Sequence, residues 1–245
     1  MKMSDAQIQV AIDLSGLGLD QIEETEEKFS IGCMVTLRQM EQHDGLEKWS
    51  HGIIRESVKD IVGVQFRNLA TVGGSIFGRF GFSDVLTCLM ALDTYVELYK
   101  GGIMPLAEFA GMERGNDILV RLIIKKTPGR QVYLAHRNAK NDFPVLAIAV
   151  SSDTRGARVT AGARPSKAIQ IPVSDEWKEK LDKGMCTEEE LDHLAGELAG
   201  QIPTGSNMRA SAEYRSHLAN VLIRRGLMAL QEQRVDGEGA KKHEN

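Results

Sequence analysis

The side chains best suited to chemistry in this chain are gathered in "TVGGSIFGRFGFSD", Thr71 to Asp84. Gly73 and Gly74 can adopt positive φ, so a tight turn is expected there. With no Cβ in the way, its backbone amides could reach the oxygens of a ligand. Thr71 and Ser75 add hydroxyls at the edges, and a helix starting just beyond Asp84 would add a field that favours an anion. Asp84 itself suits a ribose or ribityl hydroxyl better than a phosphate. Together these residues describe a nucleotide cradle. The spacing is neither G-x-G-x-x-G after a strand nor a Walker loop, which removes both of those motifs. The same residues read equally as a glycine-rich turn serving strand–helix packing, with Asp84 only a helix N-cap. The local pattern leaves both readings open.

Several elements must position this stretch. Val10 to Leu14 in "IQVAIDLSGLG" is a short apolar run expected as a strand, and "KFSIGCMV" is a second. "TLRQMEQH" opens a helix with Thr36 as N-cap, and "GIIRESVKDIV" spaces Ile53, Ile54, Val58 and Ile61 for another. "DVLTCLMALDTYVELYK" starts as a helix capped by Asp84 and passes into a strand at Tyr95 to Leu98; "DILVRLIIKK" is a further strand. Pro128–Gly129 breaks the pattern, placing a boundary within residues 125–131.

Beyond it, "QVYLAHR", "FPVLAIAVSS" and "ARVTAGAR" predict a small three-stranded antiparallel sheet. Helices follow in "SDEWKEKLDKG", "TEEELDHLAGELAGQI" with the capping box Thr187/Glu190, and "SAEYRSHLANVLIRRGLMALQEQ" with Ser211 as cap and a Leu218, Val221, Leu222, Leu227 stripe. The fold class is α+β, with units at 1–128 and 129–235 and a polar tail at 236–245 expected to be disordered.

Composition narrows the function. The 245 residues carry a net charge of −4 and a pI near 5.9, so no basic surface points to nucleic acid. No apolar run has membrane-spanning length and "MKMSDAQIQVAID" has no signal-peptide core, so no membrane partner and a cytoplasmic location are expected. Cys33, Cys88 and Cys186 lack metal-site spacing and read as reduced structural thiols, so no metal centre is expected. His51, His136 and His217 are acid/base candidates; His217, inside the last helix, is better read as packing or an interhelical hydrogen bond.

"VQFRNLATVGGSIFGRFGFSDVLTCLMALDTYVEL" resembles the second FAD-binding motif of the flavoprotein subunits of molybdenum hydroxylases: the medium subunits of carbon monoxide dehydrogenase and the FAD-binding subunits of bacterial xanthine dehydrogenases. That motif has the form RN-x-A-T-x-G-G-N-I, then S-D, then L-L-A-L-D-A. Arg67, Asn68, Ala70, Thr71, Gly73, Gly74, Ile76, Ser83, Asp84, Ala91, Leu92 and Asp93 fit it. "DFPVLAIAVSSDTRGARVTAGARPSKAI" and "RASAEYRSHLANVLIRRGL" resemble the family's C-terminal domain, and the likeness spans residues 10 to 230.

The resemblance implies a partial FAD-binding domain of the molybdopterin dehydrogenase type followed by the flavoprotein C-terminal domain, with FAD as cofactor. It makes Thr71, Val72, Gly73, Gly74 and Ser75 the flavin cradle, gives Asp84 a cofactor hydroxyl, and lets the Leu119 backbone meet the isoalloxazine or adenine region. Leu119 reads equally as a core strand residue. "HRNAKND" resembles a basic stretch that approaches the flavin, although Tyr133 and Leu134 stand where many relatives have a basic group. Ser75 replaces the family asparagine. The chain begins where the family's first subdomain, with its A-G-G-T-D pyrophosphate loop, would have ended, which leaves three readings open: a natural truncation, a split gene with a separate N-terminal partner fragment that carries the loop, or an incompletely called reading frame. Other implied partners are a molybdopterin-binding large subunit and a 2Fe–2S small subunit, with electrons passing from the clusters through FAD to NAD or oxygen. The alternative is a flavin-free, truncated structural or interaction subunit.

Overall fold

The computed structural model describes residues 10–113 and 115–240, with side chains through 233. Along the chain come β1 (Ile22–Glu24), β2 (Lys28–Gly32), α1 (Leu37–Gln42), α2 (Asp44–Trp49), α3 (Ile53–Val58), α4 (Val64–Arg67), α5 (Val72–Phe77), α6 (Asp84–Ala91), β3 (Thr94–Leu98), β4 (Gly102–Pro105), α7 (Leu106–Gly111) and β5 (Leu119–Lys125). There follow β6 (Gly129–His136), β7 (Leu146–Asp153), β8 (Gly156–Gly162), β9 (Ile169–Val173), α8 (Asp175–Lys183), α9 (Glu188–Gly200) and α10 (Ala212–Ala240).

The first sheet has the strand order β1-β2-β5-β3-β4 with antiparallel pairing throughout. One face of its central strands is apolar: Phe29 and Ile31 of β2, Val96 of β3, and Leu122 and Ile124 of β5 are fully buried. The opposite face is polar, and Glu97 and Arg121, paired across β3 and β5, form an ion pair at 3.0 Å. This alternation is the period-2 signature of a sheet covered on one side.

The second sheet is the antiparallel meander β6-β7-β8-β9. It has four strands where three were expected. The additional strand, "IQIPV", pairs Ala157–Ala161 of β8 with Ile169–Val173. Pro172 reads as a breaker in sequence, but at a sheet edge a missing N–H costs no ladder bond. The expected strand at Val10–Leu14 does not form; Val10 and Ile12 are 77% and 76% exposed with no partner strand.

β7 sorts its side chains by size. Leu146, Ile148 and Val150 face a core shared with α8, α9 and α10, whereas Ala147 and Ala149 face the first core. The small face lets α6 lie close, and every residue of α6 is buried. A Cβ on Gly162 would stand 1.9 Å from Thr87 Oγ1 of that helix, so glycine is required by contact rather than by φ. The C-terminal end of α6 is capped from this sheet. Ser151 Oγ and Arg158 Nε donate to Ala91 O at 2.7 and 3.1 Å, and Gln170 Nε2 donates to Met90 O at 2.6 Å. These satisfy carbonyls that a helix end leaves open. Sheet two is thus the middle layer between α6 and the C-terminal helices.

Local signals for the other helices hold. Thr36 and Thr187 form capping boxes with Gln39 and Glu190, and Ser211 Oγ accepts from Tyr214 N at 3.1 Å. Leu218, Leu222 and Leu227 are buried as a stripe. α10 extends to Ala240, through the start of the tail expected to be disordered; residues 241–245 and the N-terminal 1–9 lie outside the described residues. Among the described residues, no helix is long and apolar enough to cross a membrane.

Candidate cofactor site

The double glycine lies in a helix, not in a tight turn. α5 starts at Val72 with Thr71 as N-cap, whose Oγ1 accepts from Gly74 N at 3.2 Å. Neither Gly73 nor Gly74 has positive φ. Their amides are engaged inside the protein, contrary to the expected cradle. Val72 N donates to Val35 O at 2.8 Å, Gly73 N to Cys33 O at 2.9 Å, and Ser75 N to Thr71 O at 3.1 Å. Val72 is wholly buried, so its side chain serves the core. The two glycines serve separate ends. A Cβ on Gly73 would meet Cys33 O at 2.6 Å, whereas one on Gly74 would find only Thr71 Oγ1 at 3.4 Å and otherwise open space.

That open space is where two cavities meet. One, of about 420 Å³, is lined by Thr71, Gly74, Ser75 and Asp84 together with Ile61, Phe66, Phe80, Phe82, Arg137 and Phe143. The other, of about 330 Å³, is lined by Cys33, Thr71, Gly73, Gly74, Phe77, Asp117 and Leu119. The sequence-predicted residues other than Val72 therefore converge on the first turn of α5, with Thr71 and Gly74 common to both cavities. Leu119 is 4% exposed, a core strand residue that also borders the second cavity.

The aromatic wall was not anticipated. Phe80 and Phe82 stack at 5.2 Å between centroids with planes 7° apart, and Phe82 meets Phe143 at 4.3 Å. Each of these rings is more than 40% exposed. The alternation "FGRFGF" was a visible signal for two of them; Phe143 arrives from beyond the second sheet's first strand and had none.

Asp84 is not the N-cap of α6. Ser83 is, accepting from Leu86 N at 3.1 Å. Asp84 occupies the first helical position, 4% exposed, and its Oδ1 accepts from Tyr133 Oη and from Arg137 Nη2, the latter at 2.6 Å. Burial raises its pKa above the ordinary aspartate value, with the Arg137 charge and the Tyr133 and Arg137 hydrogen bonds opposing. Burial and the Asp84 charge push the Tyr133 phenol well above its usual range. A carboxylate and a guanidinium thus line a cavity walled by aromatic and aliphatic side chains, with the hydroxyls of Thr71, Ser75 and Ser83 and the side chains of Asn141 and Asp142 also in its lining.

Other motif residues serve structure. Arg67 binds Glu41 through Nε at 2.9 Å and Ile61 O through Nη1 at 3.1 Å. Arg215 is fully buried and donates to Val145 O, Gly205 O, Ala210 O and Asn207 Oδ1. His217 is exposed on α10 rather than packed. His136 lies 3.4 Å from Tyr214 Oη, away from Asp84's cavity. Cys33, Cys88 and Cys186 are free and buried.

These residues fit a flavin nucleotide. The aromatic cavity accommodates a planar ring system, its floor offers polar groups to hydroxyls, and the bare face of Gly74 lets a ligand pass closely between the cavities.

Known proteins match the chain along most of its length. Residues 1–126 match the FAD-binding domain in molybdopterin dehydrogenase, and residues 131–230 match the CO dehydrogenase flavoprotein C-terminal domain. YgfM of Escherichia coli K12 is 25% identical over 217 residues, covering 88% of this chain and 78% of that protein. The nicotine 6-hydroxylase medium subunit of Paenarthrobacter nicotinovorans is 24% identical over 242 residues, covering 93% and 84%. Among solved structures, quinoline 2-oxidoreductase from Pseudomonas putida 86 superposes with a TM-score of 0.73 at 18% identity, covering 88% of this chain and 79% of that one. The Cu,Mo-CO dehydrogenase gives 0.73 at 22% identity, covering 87% and 79%. By its fold and by both matched domains, this chain belongs to the FAD-binding flavoprotein family of the molybdopterin dehydrogenases, with FAD as its cofactor.

Proposed function

We propose that the chain is the FAD-carrying medium subunit of a molybdenum hydroxylase-type oxidoreductase, working with a molybdopterin-binding large subunit and a 2Fe–2S small subunit. The observation that carries this reading is the meeting of two cavities over Thr71 and Gly74, with Asp84 and Arg137 on the floor of one. Gly74 binds by allowing close approach and Thr71 and Ser75 by their hydroxyls, Gly73 seats the first turn of α5 against Cys33, Asp84 accepts from a hydroxyl of the cofactor and Leu119 borders its far end. Phe80, Phe82 and Phe143 shield the ring from water. Held by these residues, FAD would supply one- and two-electron chemistry between iron–sulfur clusters and NAD or oxygen.

The test is a flavin spectrum on the purified chain, or titration of the chain with FAD followed by flavin fluorescence. Saturable binding that Gly74→Val abolishes is the expected result. No binding by the parent chain would overturn the reading.

A further inference from the structure

Asp84 belongs to the first half of the chain but is held by the second. Tyr133, in β6, and Arg137, one residue past that strand, both donate to the same oxygen, Oδ1. Arg137 is itself fixed, since its Nη1 donates to Asp142 O at 2.8 Å. The Asp142 carboxylate in turn accepts from Phe143 N at 2.7 Å and Arg209 Nη2 at 3.0 Å. Two donors converging on one oxygen fix the rotation of a carboxylate, which neither could do alone.

The two holders differ in one respect that matters. Arg137 lines both the aromatic cavity and another of about 390 Å³ that Glu56, Lys59 and His136 also border, whereas Tyr133 lines only the latter and is absent from the aromatic cavity's lining. Tyr133 therefore reaches a ligand in the aromatic cavity only through Asp84.

We propose that Tyr133 and Arg137 are positioning residues for the flavin. By occupying Oδ1 of Asp84, they turn the carboxylate so that its other oxygen is the one offered to a cofactor hydroxyl, and they make that offer depend on the docking of the second sheet. The proposal rests on the FAD reading above. Tyr133 takes over, by a neutral hydrogen bond, an orienting task that leaves Arg137 the one cation at the carboxylate among the contacts described.

The experiment measures FAD dissociation constants by fluorescence for the parent chain, Tyr133→Phe, Arg137→Gln, Arg137→Lys, Asp84→Asn and the Asp84→Asn/Tyr133→Phe double variant, with thermal melts as the check on folding. Tyr133→Phe should weaken FAD roughly 10- to 150-fold, the scale of one hydrogen bond to a charged group. The same change should have little effect in the Asp84→Asn background, because the amide that Tyr133 would still orient no longer offers a second acceptor oxygen to a cofactor hydroxyl. Arg137→Lys should recover part of what Arg137→Gln loses. An unchanged dissociation constant in Tyr133→Phe overturns the proposal while leaving the FAD reading intact, and so does a loss that persists in the double variant. If Tyr133→Phe fails to fold, an Arg137→Gln/Asp84→Asn double variant decides instead: a loss from Arg137→Gln that persists there is direct contact with the ligand and overturns the proposal. A parent chain that does not bind FAD overturns the functional reading and the proposal with it.

Discussion

Gly73 rests against the carbonyl of Cys33 with no room for a methyl group, since a Cβ there would lie 2.6 Å from that oxygen. One residue on, Gly74 has open space on the same count. Adjacent glycines of one motif should therefore respond in opposite ways. Gly73→Ala must push α5 off the segment at Cys33 that follows β2 and should cost on the order of 1–3 kcal/mol of stability. Gly74→Ala should leave stability within about 1 kcal/mol of the parent or raise it, because alanine favours a helix, while weakening FAD binding. Urea unfolding beside a flavin titration separates the two effects.

Arg215 gives a stability prediction of another kind. Its guanidinium is the donor to the carbonyls of Val145, Gly205 and Ala210. Arg215→Met would strand the buried Val145 carbonyl and remove donors from the half-buried Gly205 and Ala210 carbonyls, that of Ala210 still accepting from Asn207 N, so a loss of about 2 kcal/mol or more is expected. Arg224 pairs with Glu188 and Asp192 at the surface, and Arg224→Met should cost less than about 1 kcal/mol. Comparable losses in the two variants would contradict the structural role given to Arg215.

How much of this was legible in the sequence follows from the range of each cause. Helix caps such as Thr36 and Thr187 depend on residues three positions away, and the sequence shows them plainly. The cavity-lining role of Thr71, Gly74 and Asp84 was within reach because one short motif carries them. The purpose of Gly73 was not, since close approach and positive φ both call for glycine and only the position of Cys33 separates them. The Asp84 partners lie 49 and 53 residues away, so a helix-capping role was the natural local reading. β9 was hidden because a proline is tolerated at an edge that only the folded sheet defines.

Two carboxylates should tilt the pH–stability curve in opposite directions. Glu41 is lowered: burial alone would raise it, but the Arg67 and Arg38 hydrogen bonds and charges outweigh that. Its contribution is present above the unfolded glutamate value of about 4.3 and is lost as pH falls through its lower folded value. Asp84 is raised, chiefly by burial. Its folded state holds the proton more tightly, so its contribution is full below the unfolded value of about 3.9 and is lost as pH rises through the folded value. Glu41→Gln should flatten the acid limb of the urea midpoint plotted against pH. The stability of the parent relative to Asp84→Asn should be greater at about pH 4 than at about pH 7; a difference that does not change with pH would contradict this assignment.

The thiols should be silent in the native chain. Burial pushes Cys88 up to about 12 and also raises Cys33 and Cys186. Since only the thiolate is nucleophilic, iodoacetamide at about pH 8 should leave the folded chain unlabelled and modify all three cysteines in urea. Rapid labelling of the folded chain, read by mass spectrometry, would show that one of these sites is open.

The helix α6 is shared between the halves: it packs on α3 and α5 from the first and on β7 and β8 from the second. It is buried along its whole length, with its last carbonyls capped by Ser151, Arg158 and Gln170 and its first residue gripped by Tyr133 and Arg137. A cut at Pro128 would therefore strip one fragment of the surface that covers α6 and leave the other with an uncovered, small-residue sheet face. The halves are not interchangeable parts: a hybrid that takes its second half from a relative would have to import the matching α6 as well, and the two halves should melt as one cooperative unit.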